Sequence, residues 1–336
     1  MGLKDVKHEK ASRSGRLWCM VVALVLGLRT AGACTVLELT GAGFAANAVH
    51  VLHAYTLFAH NNGTMYINST AFEYKCSSVG GWHDFFTFDD LNGTVADIAS
   101  MPPGESCARY EFHDIDLMLH TWSYSWWLVD QAAAKKIWKF NDWVKDQLEP
   151  VMEELHELPA PRMAFHIRGG DKLSEDVQLA RTTTTPQDFI SSLAEARPHL
   201  KGGTCILVGD DQKWIREATE LAVARFGCRP FSKTLFHIPT GGSHDQETFN
   251  HERFETKCAG TLQFILDIEL LTHADYFVGT TNSGLPHVVE VLRFAVYNKD
   301  RATFVDASLQ HQDWHARMRR FWAPTEGPAR RLLSAR

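Results

Sequence analysis

The chain has 336 residues, more than one hydrophobic core ordinarily holds, which points to two domains. Apolar residues make up 45 % and charged residues 22 %, a globular composition that excludes a disordered chain. The formal net charge is −6, and the basic excess before Leu17 leaves the remainder at about −9, which excludes a nucleic-acid backbone as the main partner but not a local anion pocket.

Lys4, Lys7, Lys10, Arg13 and Arg16 precede an apolar run from Leu17 to Leu28, and Ala31-Gly32-Ala33 follows as an A-x-A cut site. Twelve helical residues reach roughly 18 Å against a bilayer core of about 30 Å. Residues 1–33 are therefore read as a cleaved signal peptide in preference to a signal anchor, the alternative that would leave a membrane tether at the N-terminus. Either reading puts the remainder in the secretory pathway, in the Golgi lumen or secreted. Sequons at Asn62, Asn68 and Asn92 agree with that compartment. So do the cysteines beyond the leader, Cys34, Cys76, Cys107, Cys205, Cys228 and Cys258, an even set able to form three disulfides of open connectivity. Among them there is no C-x-x-C or Cys/His metal spacing, so no structural metal is expected.

Strands then alternate with helices, the pattern of parallel α/β sheets. Cys34 to Leu39 reads as a strand, Gly41-Ala42-Gly43 as a turn, Phe44 to His60 as a helix and Thr64 to Asn68 as a second strand. The stretch from Phe72 to Trp127 is aromatic and less regular. A long helix is expected from about Ala132 to Leu158, interrupted at Pro150, and Pro159-Ala160-Pro161 reads as a linker between domains. Beyond it, strands are expected at Met163 to Ile167, Thr204 to Val208 and Tyr276 to Val278. Helices are expected from Thr185-Pro186, with N-cap and N1 chemistry, over Trp214 to Phe226, over Lys257 to His273, and after Thr280-Thr281-Asn282-Ser283-Gly284. The boundaries drawn are residues 34–158 for a first α/β domain, 159–305 for a second, and 306–336 for a basic tail.

Several of these turns could carry chemistry. Gly41-Ala42-Gly43-Phe44-Ala45-Ala46 fits the G-x-G-x-x-A dinucleotide pattern, but no acidic residue lies between Glu38 and Glu73 to hold a ribose, which argues against a nicotinamide or flavin dinucleotide. Gly41 and Gly43 remain places where backbone can approach a substrate closely. Phe165-His166-Ile167-Arg168-Gly169-Gly170-Asp171-Lys172 is an apolar strand running into a charged, glycine-containing loop, on the edge where open α/β sheets bind ligands. Arg168 there is placed for a bidentate grip on phosphate, the alternative being a surface salt-bridge loop. Asp210 and Asp211 are either acceptors for a guanine or ribose, or an N-cap. Asp267, alone in the apolar run Phe264 to Ile268, is either a ligand contact or half of a structural pair. Thr281, Asn282 and Ser283 open a helix whose N–H groups suit a phosphate, or simply cap it. Asp114-Ile115-Asp116 matches a metal-holding D-x-D triplet.

Taken in order, His166-x-Arg168-x-x-Asp171-Lys172, Gly209-Asp210-Asp211, Asn250-His251-Glu252-Arg253-Phe254, Leu266-Asp267-Ile268, and Ala274 to Val278 with its Ser-containing turn resemble the GDP-fucose-dependent fucosyltransferases, most nearly the core α1,6 enzymes of N-glycans and their fungal relatives. The likeness is good from about residue 135 to 295 and looser before it, where it rests on Gly41 to His60 and Trp82-x-x-Phe85-Phe86. It implies a GT-B fold of two Rossmann-like domains facing a cleft, the first on the acceptor side and the second holding the sugar nucleotide. It implies a GDP-fucose donor, a glycan or glycoprotein acceptor, inversion at the anomeric carbon, and no essential cofactor or metal. By position, Arg168 and Ser283 would meet the β-phosphate and His166 and Asp267 the guanine, while Lys172 would pair with a general base, Asp176 or its near neighbour Glu175. Two positions depart from the pattern: Gly169 stands where the family has a second arginine, and Gly284 where it has glutamine. The alternatives to a fucosyltransferase are an inactive sugar-nucleotide- or glycan-binding relative, and a metal-dependent transferase using Asp114 and Asp116.

Overall fold

The computed structural model describes residues 34–58, 64–88, 95–110, 131–169, 184–235, 246–280 and 283–308. Two parallel sheets organise them. The first has the order β3-β2-β1-β4, with β1 Thr35–Glu38, β2 Met65–Asn68, β3 Val95–Asp97 and β4 Ala108–Tyr110. The second has the order β7-β6-β5-β8-β9, with β5 Arg162–Ile167, β6 Thr204–Gly209, β7 Arg229–Phe231, β8 Tyr276–Gly279 and β9 Phe304–Asp306. Every ladder in both is parallel, so all carboxyl ends of a sheet share one edge. The short edge strands β3, β4, β7 and β9 have no counterpart in the sequence reading. β9 pairs with β8, so the second sheet extends to Asp306.

Eight helices connect the strands among the described residues: α1 Phe44–Phe58, α2 Gln131–Ile137, α3 Asp142–Glu157, α4 Pro186–Ala196, α5 Gln212–Phe226, α6 Gln246–Asn250, α7 Phe254–His273 and α8 Gly284–Ala295. Thr185 begins α4 as expected, with a capping box to Asp188 and Pro186 in the first turn.

The helix expected over Ala132 to Leu158 is divided, but not at Pro150. That proline lies inside α3, and the break falls at residues 138–141. Asn141 ends the gap as an N-cap, accepting from the Val144 N–H at 3.3 Å. Phe140 forms a bridge with Phe86, and the Trp138 indole donates to buried Glu269 at 2.9 Å. These tertiary contacts outweigh the one backbone bond that a mid-helix proline removes.

One hydrophobic core runs between the two sheets. It joins Leu37, Ile67 and Phe44 of the first half to Ala164, Ile206, Phe277 and Leu285 of the second. A second core, with Met163, Phe165, Ile167 and Phe189, covers the other face of the second sheet. Phe44 packs at 5.9 Å on Trp82 and at 5.6 Å on Phe264, so the aromatic stretch of the first half wraps the helix that follows β1. The six cysteines among the described residues all pair, as Cys34–Cys107, Cys76–Cys258 and Cys205–Cys228. The second of these joins the two halves, and the adjacent Lys257, buried, forms an ion pair with Glu73 across the same seam. Among the described residues no helix is long and apolar enough to cross a membrane. Residues 1–33, read from sequence as a signal peptide, the sequons at Asn62 and Asn92 and the tail from residue 309 lie outside them. Asn68 lies within them, its amide donating to Glu38 at 2.6 Å.

Candidate active site

Strand alternation decides which residues reach the seam. Ala164 of β5 belongs to the core between the sheets, whereas Met163, Phe165 and Ile167 belong to the other, so His166 shares the inner face with Ala164. His166 is 4 % exposed, and its Nδ1 has no hydrogen-bond partner among the described residues. Burial, reinforced by the Arg168 guanidinium, lowers its pKa to about 3, so the ring is neutral. A buried polar atom without a partner costs about 1–3 kcal/mol, a deficit that a ligand would remove.

Arg168 follows at the carboxyl end of β5. Its Nη1 donates to Asp210 Oδ2 in a partly buried ion pair, and the Gly169 N–H donates to Asp210 Oδ1 at 2.7 Å. One carboxylate thus orients the guanidinium and the backbone beyond it. A guanidinium has five N–H donors, and Asp210 engages it through Nη1. Asp210 therefore acts on Arg168, and Asp211 caps α5, accepting from the Lys213 and Trp214 N–H groups at 2.8 and 3.0 Å. The structure also explains why glycine stands after Arg168: a Cβ at Gly169 would lie 3.0 Å from the Asp211 Cβ and 3.5 Å from the Trp214 ring. At Gly209 a Cβ would lie 2.2 Å from the Ile167 carbonyl oxygen. Backbone cannot yield as a side chain can, so Gly209→Ala should destabilise the protein by about 3 kcal/mol and shift Asp210 away from Arg168. Its urea midpoint checks this, and a midpoint matching the parent's would contradict it.

Asp267 has a side-chain partner one turn away. Gln263, one turn earlier, donates to its Oδ1 at 2.8 Å and also ties down residues 233–235, donating to the Lys233 carbonyl and accepting from the Leu235 N–H. Burial raises the Asp267 carboxyl to about 7, the Gln263 bond opposing. Ser283 sits at the N-cap position of α8, and its side chain makes no capping bond. That helix begins against the first half: a Cβ on Gly284 would lie 3.6 Å from Ala45 Cβ and from the Ala46 nitrogen. The N-termini of α8 and α1, one from each half, therefore meet.

Gly41 and Gly43 lie beside this junction. A Cβ at Gly41 would come no closer than 3.8 Å to any atom, and at Gly43 no closer than 3.5 Å, and neither has positive φ, so packing and backbone conformation do not demand glycine at either. Asn47, fully buried, gave no sequence signal beyond its place in the helix, yet its amide holds this loop. Of the remaining site residues expected from sequence, Asp171, Lys172, Glu175, Asp176, Thr281 and Asn282 lie outside the described residues, as do Asp114 and Asp116.

No family model matches the sequence, and no curated protein sequence does. Solved structures do match. The fucosyltransferase NodZ from Bradyrhizobium superposes with a TM-score of 0.50 at 12 % identity, over 78 % of this chain and 93 % of that one. This is the GT-B fold. A NodZ α-1,6-fucosyltransferase structure soaked with GDP-fucose gives 0.49 at 11 % identity over 78 % and 92 % of the two chains. Arabidopsis thaliana FUT1 in complex with GDP gives 0.47 at 8 % identity over 79 % and 69 %. In this fold His166, Arg168, Asp210 and Ser283 all lie at the carboxyl edge of the second sheet, where open parallel sheets hold their ligands.

Proposed function

We propose that the protein is an inverting glycosyltransferase that moves fucose from GDP-fucose to a hydroxyl of a glycan or glycoprotein in the secretory lumen. The observation that carries this is the pairing of Arg168 with an orphaned neighbour: a braced guanidinium at the sheet edge, two residues beyond a buried neutral histidine whose Nδ1 has no partner. The first suits a diphosphate and the second a base edge. The fold shared with NodZ and the motif order point the same way.

In the reaction the acceptor oxygen attacks C1 of the fucose from the face opposite the leaving group. The C1–O bond breaks and its electron pair goes to the β-phosphate oxygen of GDP. Arg168 and the N–H groups at the start of α8 meet that growing charge. The acceptor proton would pass to Asp176 or Glu175, with Lys172 as the partner the resemblance implies. His166 and Asp267 would read the guanine, whose N–H donors favour the ionised form of Asp267. The transfer needs no cofactor, and three disulfides suit an oxidising lumen.

Calorimetric titration with GDP, GDP-fucose, UDP and UDP-glucose tests the donor. GDP and GDP-fucose should bind the parent and lose at least about tenfold in affinity to Arg168→Ala, as expected for a charge-assisted contact. Equal binding of uridine and guanosine nucleotides, or an unchanged Arg168→Ala, would overturn the assignment.

A further inference from the structure

The loop between β1 and α1 has its backbone oriented by side-chain amides from both halves of the chain, and we propose that Asn47, seconded by Asn250, is the positioning residue that aims this loop at the diphosphate. The proposal rests on reading the seam as a GDP-sugar site.

Four consecutive carbonyls are engaged. Asn47 Nδ2 donates to the oxygens of Thr40 at 3.2 Å, Ala42 at 3.0 Å and Gly43 at 3.3 Å, and Asn250 Nδ2 donates to Gly41 at 3.4 Å. The orientation of each amide is fixed by what its oxygen accepts. Asn47 Oδ1 takes the Thr40 N–H at 3.0 Å, which leaves its nitrogen facing the carbonyls. Asn250 Oδ1 takes Gln246 Nε2 at 2.7 Å, and Gln246 Oε1 takes the Tyr74 hydroxyl at 2.6 Å. Tyr74 in turn stacks on Phe249 at 4.6 Å.

A trans peptide is planar, and its N–H points opposite to its C=O. With the Thr40, Ala42 and Gly43 carbonyls drawn to Asn47, the N–H groups of Gly41, Gly43 and Phe44 point the other way. The Ala42 N–H between them donates instead to Thr40 Oγ1 at 3.2 Å. N–H groups facing one direction make an anion-attracting concavity, and the one formed by Gly41, Gly43 and Phe44 adjoins the start of α8 through Ala45, Ala46 and Gly284. With its peptides reversed, the same loop would present carbonyl oxygens and repel a diphosphate. Asn47 therefore sets the sign of the field that the first half presents, without itself touching the nucleotide.

Asn47→Asp tests this, because a carboxylate among three carbonyl oxygens repels them while keeping the side chain's size. Tyr74→Phe is the milder companion, removing one hydroxyl from the end of the relay and leaving the stacking ring. Affinity for GDP is measured by calorimetry and for guanosine, which has no phosphate, by ligand-observed NMR. Asn47→Asp should weaken GDP by about tenfold or more, the scale of one charge-assisted bond, and Tyr74→Phe by about threefold. Guanosine binding should change by less than about twofold in both. A fall in GDP and guanosine affinity together would show a merely structural role and overturn the proposal, as would GDP binding unchanged in Tyr74→Phe and Asn47→Asp. If Asn47→Asp does not fold, Tyr74→Phe decides alone. A parent that binds no guanine nucleotide would instead overturn the donor reading beneath it.

Discussion

Turnover of GDP-fucose should fall by about a thousandfold when Arg168 becomes alanine, with most of the loss in kcat. The reason is where the charge grows. In the bound donor the diphosphate charge is spread over several oxygens. As the C1–O bond lengthens, a full additional charge collects on the leaving oxygen, and a guanidinium held in place interacts more strongly with that oxygen than with the ground state. Asp210 holds it, through Arg168 Nη1 and the next backbone N–H. Arg168→Lys should recover little, since one ammonium cannot span Asp210 and a phosphate as a planar fork can. Asp210→Asn keeps the hydrogen-bonding shape and removes the charge that orients Arg168, so it should cost about tenfold in kcat with a smaller change in GDP affinity. Initial rates against donor concentration, beside the binding titrations, separate the two parameters. Arg168→Ala within about tenfold of the parent's kcat would refute the role.

The features legible in the sequence were those that depend on local chemistry. Thr185-Pro186 and Asp211 begin helices because capping is a local hydrogen-bond requirement, and β5, β6 and β8 were readable because strands buried on both faces are continuous apolar runs. The even cysteine count became three disulfides, but their partners are set by packing: Cys76 meets Cys258 across 182 residues. What the sequence hid was tertiary. The break before α3 is placed by Trp138 reaching Glu269 and Phe140 reaching Phe86, contacts with residues far along the chain. The short edge strands carry too few residues for a period to show. Asp210 and Asp211 looked equivalent in sequence, and only geometry separates the residue that orients Arg168 from the one that caps a helix. Asn47 was invisible for the same reason, because its four bonds go to a loop that sequence reading could place but not shape.

Acidification should destabilise this protein before its ordinary carboxylates titrate. Burial lowers His50 and His166 to about 3 and His53 and His273 to about 4, against an unperturbed 6.5. Each stays neutral in the folded chain and takes up a proton on unfolding once the pH drops below 6.5, so its contribution is intact above 6.5 and is lost as the pH falls toward the folded value. Asp267 and Glu269 act in the opposite sense. Burial raises both to about 7, so the folded protein keeps protons there that the unfolded chain releases. Near pH 5 four histidines outweigh two carboxyls by about two protons, a slope of roughly 3 kcal/mol per pH unit, while near pH 7 the two sets almost cancel. Stability should therefore fall by about 3 kcal/mol between pH 7 and pH 5, measured as free energies from urea unfolding at fixed pH. His53 offers the sharpest control: both ring nitrogens are buried without partners among the described residues, so His53→Phe removes a proton-binding site without breaking any bond these residues make. That variant should gain about 2 kcal/mol relative to the parent at pH 5 compared with its effect at pH 7. Parent stability that is level from pH 7 to pH 5, or a variant whose effect does not depend on pH, would show that these histidines reach water in the folded state.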